Sequence, residues 1–206
     1  MSIIKDNLYR KGTPAHIPNC SRNELPKFLK EQGYKVGAEI GVYKAEYTKH
    51  FCEAGLKMYA VDPYMAFTGQ GRTQNKQDRQ DFLFGHAQRY LKGYDVTFIR
   101  KTSMEALEDI KDNSLDFVFI DGDHNFKHVA EDIFEWSKKV RDGGVVAGHD
   151  YCSTWPKAKN VIMQVQYVVD AYVKTFDIPN FYTFGGTDTV RKVGGGDNTR
   201  SWMWIK

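Results

Sequence analysis

The residues of this chain that can do chemistry fall at the ends of short apolar runs. Glu39-Ile-Gly41 closes one run, Asp62 the next, and Thr102-Ser103 follows a third; Asp121-Gly-Asp-His124 closes a fourth and His149-Asp150 a fifth. Carboxylates and imidazoles in this mixture can move a proton or ligate a divalent ion. Gly41 lets the backbone turn closely beneath a ligand. Asp62, 21 residues later, is placed where an acid accepts both hydroxyls of a ribose, so the pair suits an adenosine-type cofactor. Glu39 at the same turn repels phosphate and suits a cationic group. The residues after Gly41 read Val-Tyr-Lys-Ala and neither GxGxxG nor GxxxxGK[ST] occurs, which disfavours a pyrophosphate or a nucleoside triphosphate.

If the fourth and fifth runs are neighbouring strands, Asp121, His149 and Asp150 converge as three potential metal ligands. Magnesium prefers oxygen, so an imidazole in the set points to manganese, iron, zinc or another borderline ion, or to a lost metal. A histidine with an ordinary pKa of about 6.5 can instead accept a proton directly. The plainer reading of Asp123 and His124 is an N-cap and first-turn pair for the helix that follows.

The elements that must position these residues are legible as an alternation. VGAEIGV (36–42), MYAV (58–61), VTFI (96–99), LDFVFI (115–120) and VVAG (145–148) are separated by segments of helical period, which predicts βαβ units. The runs are apolar on both faces, as parallel strands covered by helices are. Predicted helix faces comprise Phe82, Leu83, His86, Ala87, Tyr90 and Leu91; Phe126, Val129, Ala130, Ile133, Phe134 and Val140; and Val161, Val165, Val168, Val169, Tyr172, Val173 and Phe176. Arg141-Asp-Gly-Gly144 reads as a stop and turn before the fifth strand. FYTFG (181–185) and TRSWMWIK (199–206) read as a closing antiparallel hairpin, with Trp202 and Trp204 on one face. The expected architecture is a doubly wound, Rossmann-like α/β sheet of seven mostly parallel strands with an antiparallel last strand. A helix over Ser21–Gln32, capped by Ser21 and ended at Gly33, makes residues 1–33 a helical extension of a 34–206 core in one domain. The polar stretch Met65–Gln80, with Arg72, Lys76 and Arg79, suits a lid or a surface loop.

Composition narrows the field. With 206 residues, 41% hydrophobic and 27% charged, the chain can bury a full core, and a net charge of +3 lacks the strong basic bias expected of a nucleic-acid binder. Cys20, Cys52 and Cys152 follow no metal or disulfide spacing, and no signal-peptide or membrane-spanning run occurs, so a reducing cytoplasmic setting without membrane attachment is expected. Homo-oligomerisation is left open.

Taken together, Ala38-Glu-Ile-Gly-Val-Tyr-Lys-Ala-Glu-Tyr-Thr48, Val61-Asp62-Pro63 and the FIDGDH…GGVVAGHDY wording resemble the class I S-adenosylmethionine-dependent methyltransferases. Within them, the chain is similar to small O-methyltransferases acting on sugars and antibiotics, distantly akin to the catechol type. The resemblance implies that Glu39, Gly41 and Tyr43 line the methionine end of the cofactor, Asp62 holds its ribose, and Ser103 and Met104 flank its adenine. It also places Asp121 beside the cofactor and in a magnesium site, and it puts His124 where the catechol type has a catalytic lysine. His124 is therefore the first candidate base and His149 the second, acting on a small hydroxylated acceptor. Ala45 departs from the pattern, standing where a glycine is usual. A non-catalytic cofactor-binding protein is one alternative, and a nicotinamide-dependent oxidoreductase, which the absent GxGxxG disfavours, is the other.

Overall fold

The structure is a computed structural model that describes residues 1–66, 76–153, 162–186 and 199–206. Eight strands form one sheet: β1 (Ala15–Ile17), β2 (Val36–Ile40), β3 (Lys57–Val61), β4 (Val96–Ile99), β5 (Leu115–Ile120), β6 (Val140–Tyr151), β7 (Phe181–Gly185) and β8 (Arg200–Ile205). Their order is β1-β7-β8-β6-β5-β2-β3-β4. Among the described strands only β8 runs against its neighbours, pairing antiparallel with both β6 and β7. The helices are α1 (Ile3–Asn7), α2 (Glu24–Glu31), α3 (Glu46–Glu53), α4 (Gln77–Tyr90), α5 (Phe126–Lys139) and α6 (Val165–Thr175), with a 3-10 turn at Glu105–Asp109.

Apolar residues on both sides of each strand separate into two layers because successive side chains alternate. Val118 and Ile120 of β5, Val146 of β6 and Trp202 and Trp204 of β8 face α5 and α6, where Val129, Ile133, Trp136, Val168, Val169 and Val173 are buried. Phe117, Phe119, Val145, Ala147 and Met203 face the other way, onto Phe28 of α2 and Phe51 of α3. A smaller cluster under α4 gathers Tyr64, Leu83, Ala87 and Leu91. Trp202 and Trp204 stack with ring centroids 5.1 Å apart, and Tyr172 stacks on Trp204 at 5.6 Å, so the closing hairpin supplies core.

Four expectations are corrected. Residues 1–33 are not merely a helical extension: Ala15-His16-Ile17 pairs in parallel with Tyr182-Thr183-Phe184, giving eight strands where seven were expected. A three-residue strand is too short to show a period, while the core it joins is plain from the burial of Ile4, Ile17 and Leu25 beside Phe117. The preceding helix starts at Glu24 with Asn23 at its cap, and Ser21 lies outside it. On α4 and α5 the predicted faces were too broad: Phe82, Phe126 and Phe134 are exposed. Arg141–Gly144 lies within β6, which shifts register between its contacts with Leu115 and Phe117. Val161 and Arg72, like most of the proposed lid, fall outside the described residues.

Gly148 shows how tightly β6 is gripped. A Cβ there would stand 2.4 Å from Trp202 Cζ2 and 2.5 Å from the Ile120 carbonyl, one neighbour a stacked indole and the other backbone. Gly148→Val is expected to cost roughly 1–3 kcal/mol of stability, read as a lowered urea midpoint. An unchanged midpoint would show that the β5-β6-β8 contact is loose.

Candidate functional site

The four central parallel strands end at one edge, and their turns interlock there. The Gly41 N–H donates to Val61 O at 2.9 Å, and Asp121 N–H donates to Ile40 O at 2.8 Å. With φ of +90°, Gly41 passes so close to the tip of β5 that a Cβ would lie 2.3 Å from Asp121 O. Only glycine meets both demands. Asp62 secures the same turn: Oδ2 accepts from the Val42 and Tyr43 amides at 3.0 and 2.9 Å, and Oδ1 from the Tyr64 amide at 2.8 Å. Ala45 enters α3 in the left-handed conformation, φ 62°, so the turn forms without the usual glycine at a cost of roughly 1–2 kcal/mol.

Beside this turn, the end of β6 breaks the normal alternation. Its register against β8 shifts between Gly148 and Tyr151, and Asp150 has φ of 54°. A bulge of this kind re-aims side chains, and here it lets consecutive residues face one neighbour. His149 Nδ1 lies 3.2 Å from Asp150 Oδ1 and 4.0 Å from Asp121 Oδ1. His124 Nε2 lies 2.9 Å from Asp150 Oδ2 and 4.0 Å from Asp121 Oδ1. Thr199 donates its hydroxyl to Asp150 Oδ1 at 2.6 Å, and Trp202 Nε1–H donates to the His149 carbonyl at 3.1 Å, tying the cluster to β8.

One ligand atom from each of Asp121, His124 and Asp150 lies within 4.8 Å of the others. This trio takes His124 in place of the expected His149, which sits against Asp150 instead. Two carboxylates and an imidazole suit manganese or another borderline divalent ion better than magnesium. Burial opposes charge on both histidines, but Asp121 and Asp150 outweigh it: the His124 pKa rises to about 9, and that of His149 rises too. Burial likewise opposes ionisation of Asp150, yet the two imidazoles hold its carboxyl far below the usual range. His124 thus carries a proton at neutral pH while Asp150 is ionised.

The residues expected on the cofactor side fall as follows. Glu39 is 2% exposed and accepts a short hydrogen bond from the Thr48 hydroxyl of α3. Burial pushes its pKa up to about 8, with Asp121 and Asp62 adding to the rise against Thr48 and Arg22. Tyr43 is half-exposed at the rim, and its carbonyl accepts from the Tyr64 hydroxyl at 3.0 Å. Met104 packs on the α5-side core, while Ser103 lies against Asp132 of α5.

Three site residues escaped the sequence reading. Arg22, just ahead of α2, reaches Asp121 Oδ2 at 3.8 Å. Thr199 precedes β8. Asp132 is 3% exposed, its Oδ1 has no hydrogen-bond partner, and burial raises its pKa to about 6. An acid interrupting the apolar face Val129, Ile133, Trp136 was the signal for Asp132. No comparable signal marked Arg22.

Comparison with known proteins places the chain. A family model described as "Methyltransferase domain" matches residues 38–151, more than half of the sequence, and spans Glu39 to Asp150. The chain belongs to that family. Among solved structures, the O-methyltransferase TomG from Streptomyces achromogenes, in complex with SAM, aligns at TM-score 0.61 and 13% identity over 89% of this chain and 78% of its own. An O-methyltransferase from Bacillus cereus in complex with SAH aligns at 0.59 and 15% over 99% and 87%. An rRNA methylase from Streptococcus thermophilus aligns at 0.60 and 14% over 88% and 93%. These likenesses show the shared fold. Uncharacterized protein y4gI of Sinorhizobium fredii is 37% identical over 68 residues, which are 33% of this chain and only 7% of that protein's length. Among the described residues, no helix is long and apolar enough to cross a membrane.

Glu39 gives a stability test. Its folded-state pKa near 8 exceeds the ordinary 4.5, so the folded chain binds the extra proton and the ligand-free protein loses stability as pH rises through that window. Glu39→Gln should leave stability unchanged below pH 4.5 and gain on wild type up to pH 8, with a ceiling of roughly 5 kcal/mol at about 1.4 kcal/mol per pKa unit. Parallel pH–stability curves from urea melts would contradict a protonated Glu39.

Proposed function

We propose that this chain transfers a methyl group from S-adenosylmethionine to an oxygen of a small hydroxylated molecule, assisted by a divalent ion. The observation that carries this reading is the meeting of Asp121, His124 and Asp150 at the sheet edge that also holds Glu39 and Asp62. The donors fit such a cofactor. The carboxylates of Asp62 and Asp121 suit a sulfonium cation, Glu39 would ionise as that cation binds beside it, and the lack of a phosphate-cradling loop agrees with a cofactor that has no phosphate. Asp62 uses three of its roughly four acceptor positions on backbone amides, leaving Oδ1 one position for a ribose hydroxyl where two such contacts were expected from sequence.

Asp121, His124 and Asp150 would hold the ion, whose chemistry when bound is to lower the pKa of a coordinated hydroxyl. The chain's own residues supply the rest. Thr199 and His149 fix the Asp150 carboxylate, and the Trp202 indole holds the His149 backbone. Should the site work without an ion, His124, which approaches both carboxylates through Nε2, is the group placed to exchange a proton with an acceptor hydroxyl; with the ion bound, that nitrogen is its ligand. The interlocked turns at Gly41 and Asp121 keep cofactor and acceptor sites at fixed separation, the source of catalysis by proximity and orientation.

The test combines binding and turnover. Calorimetry should show binding of S-adenosylmethionine and S-adenosylhomocysteine, and Asp62→Ala should weaken both by about tenfold or more through loss of the turn and the ribose contact. Methyl transfer to a panel of small hydroxylated acceptors should stop with EDTA and return with manganese, and Asp150→Ala should lower it by about a hundredfold or more. Absence of cofactor binding would overturn the reading, whereas EDTA-resistant turnover would remove the ion from it.

A further inference from the structure

Arg22 is the residue at this site that the fold has gone furthest to deliver. It lies beyond the reach of the family match at 38–151, in the segment between β1 and α2. Its backbone carbonyl accepts from the Tyr47 hydroxyl at 2.7 Å, and its guanidinium carbon sits 4.8 Å from the centroid of the Tyr47 ring. Tyr47 is 6% exposed and lies in the first turn of α3, directly after the Gly41 turn. The same side chain that receives the guanidinium therefore anchors its backbone, which restricts the long, rotamer-rich arginine to one place. From there it reaches Asp121 at 3.8 Å, and its charge is felt at Glu39.

The charges at this edge are arranged with a purpose that the acceptor chemistry does not require. Asp62, Asp121 and Asp150, joined by Glu39 once a bound cation ionises it, make the rim acidic, which suits the sulfonium and the ammonium of the cofactor. The cofactor's amino-acid end also carries a carboxylate, and an acidic rim repels it unless a cation intervenes. An arginine is charged at every working pH and presents a planar fork that matches a carboxylate. Arg22 meets Asp121 at Oδ2, whereas His124 lies nearest its other oxygen, Oδ1. Resting on the cofactor assignment proposed above, we infer that Arg22 reads the α-carboxylate of the methionine moiety of S-adenosylmethionine, making the N-terminal segment part of the cofactor site.

The deciding measurement is calorimetric and independent of turnover. S-adenosylmethionine and its decarboxylated analogue, S-adenosyl-3-methylthiopropylamine, are titrated into wild type, Arg22→Gln and Arg22→Lys. Wild type should prefer the carboxylated compound by about tenfold or more, the scale of a lost charge-assisted pair. Arg22→Gln should bind the two alike while keeping wild-type affinity for the analogue, which reports an intact site, and Arg22→Lys should retain part of the preference. The inference is overturned if Arg22→Gln preserves the wild-type ratio, or if it weakens both compounds equally. Should wild type bind neither compound, the cofactor reading itself falls; binding with an unaltered ratio in Arg22→Gln removes only the role given to Arg22.

Discussion

Gathering four carboxylates at one sheet edge is the constraint on which the rest of this structure depends. Glu39, Asp62, Asp121 and Asp150 would repel one another in a half-buried rim, and each is stabilised by a different device. Glu39 keeps its proton and accepts from Thr48. Asp62 is solvated by three backbone amides, Asp150 by two imidazoles and a hydroxyl, and Asp121 faces Arg22. Leaving any of these charges buried and unpaired would cost several kcal/mol, comparable to the whole stability of a small domain.

Two backbone irregularities make the gathering possible. In a regular strand, His149 and Asp150 would point to opposite faces, and only the bulge with its left-handed Asp150 turns both toward Asp121. In a regular turn, β2 could not exit so close to the tip of β5, and only Gly41 tolerates a carbonyl where its side chain would be. Backbone strain of this kind persists when surrounding packing overdetermines it. Here the stacked Trp202, whose indole also binds the His149 carbonyl, supplies that packing.

The parts legible in sequence were those written in period or position. Apolar runs at regular separation announced the parallel strands, and polar residues closing them announced the edge where Asp121, His124 and Asp150 meet. The pairing of Asp121 with His149 and Asp150 followed from adjacency of β5 and β6 and proved geometrically close. What could not be read depended on departures from period. The bulge is invisible to a two-residue alternation, so the closer approach of His124 to Asp150, 2.9 Å against 3.2 Å for His149, could not be read. Strand β1 has only three residues, too few to show alternation. Arg22 resembles any solvated charge ahead of a helix until the tertiary fold brings α3 and β5 to it.

The acceptor's class rests on local chemistry, because the fold is shared at similar TM-scores by O-methyltransferases and an rRNA methylase. An unprotonated amine has a lone pair ready to attack a sulfonium methyl, so an N-acceptor needs little more than orientation. A hydroxyl is a poor nucleophile until its proton begins to leave, and a site that serves it must provide a proton acceptor, a Lewis-acid site or both. A cluster of two carboxylates and an imidazole within 4.8 Å, braced by Thr199 and Trp202, is costly to assemble for a reaction that orientation alone would satisfy. Its presence is the ground for proposing an oxygen acceptor over a nitrogen one.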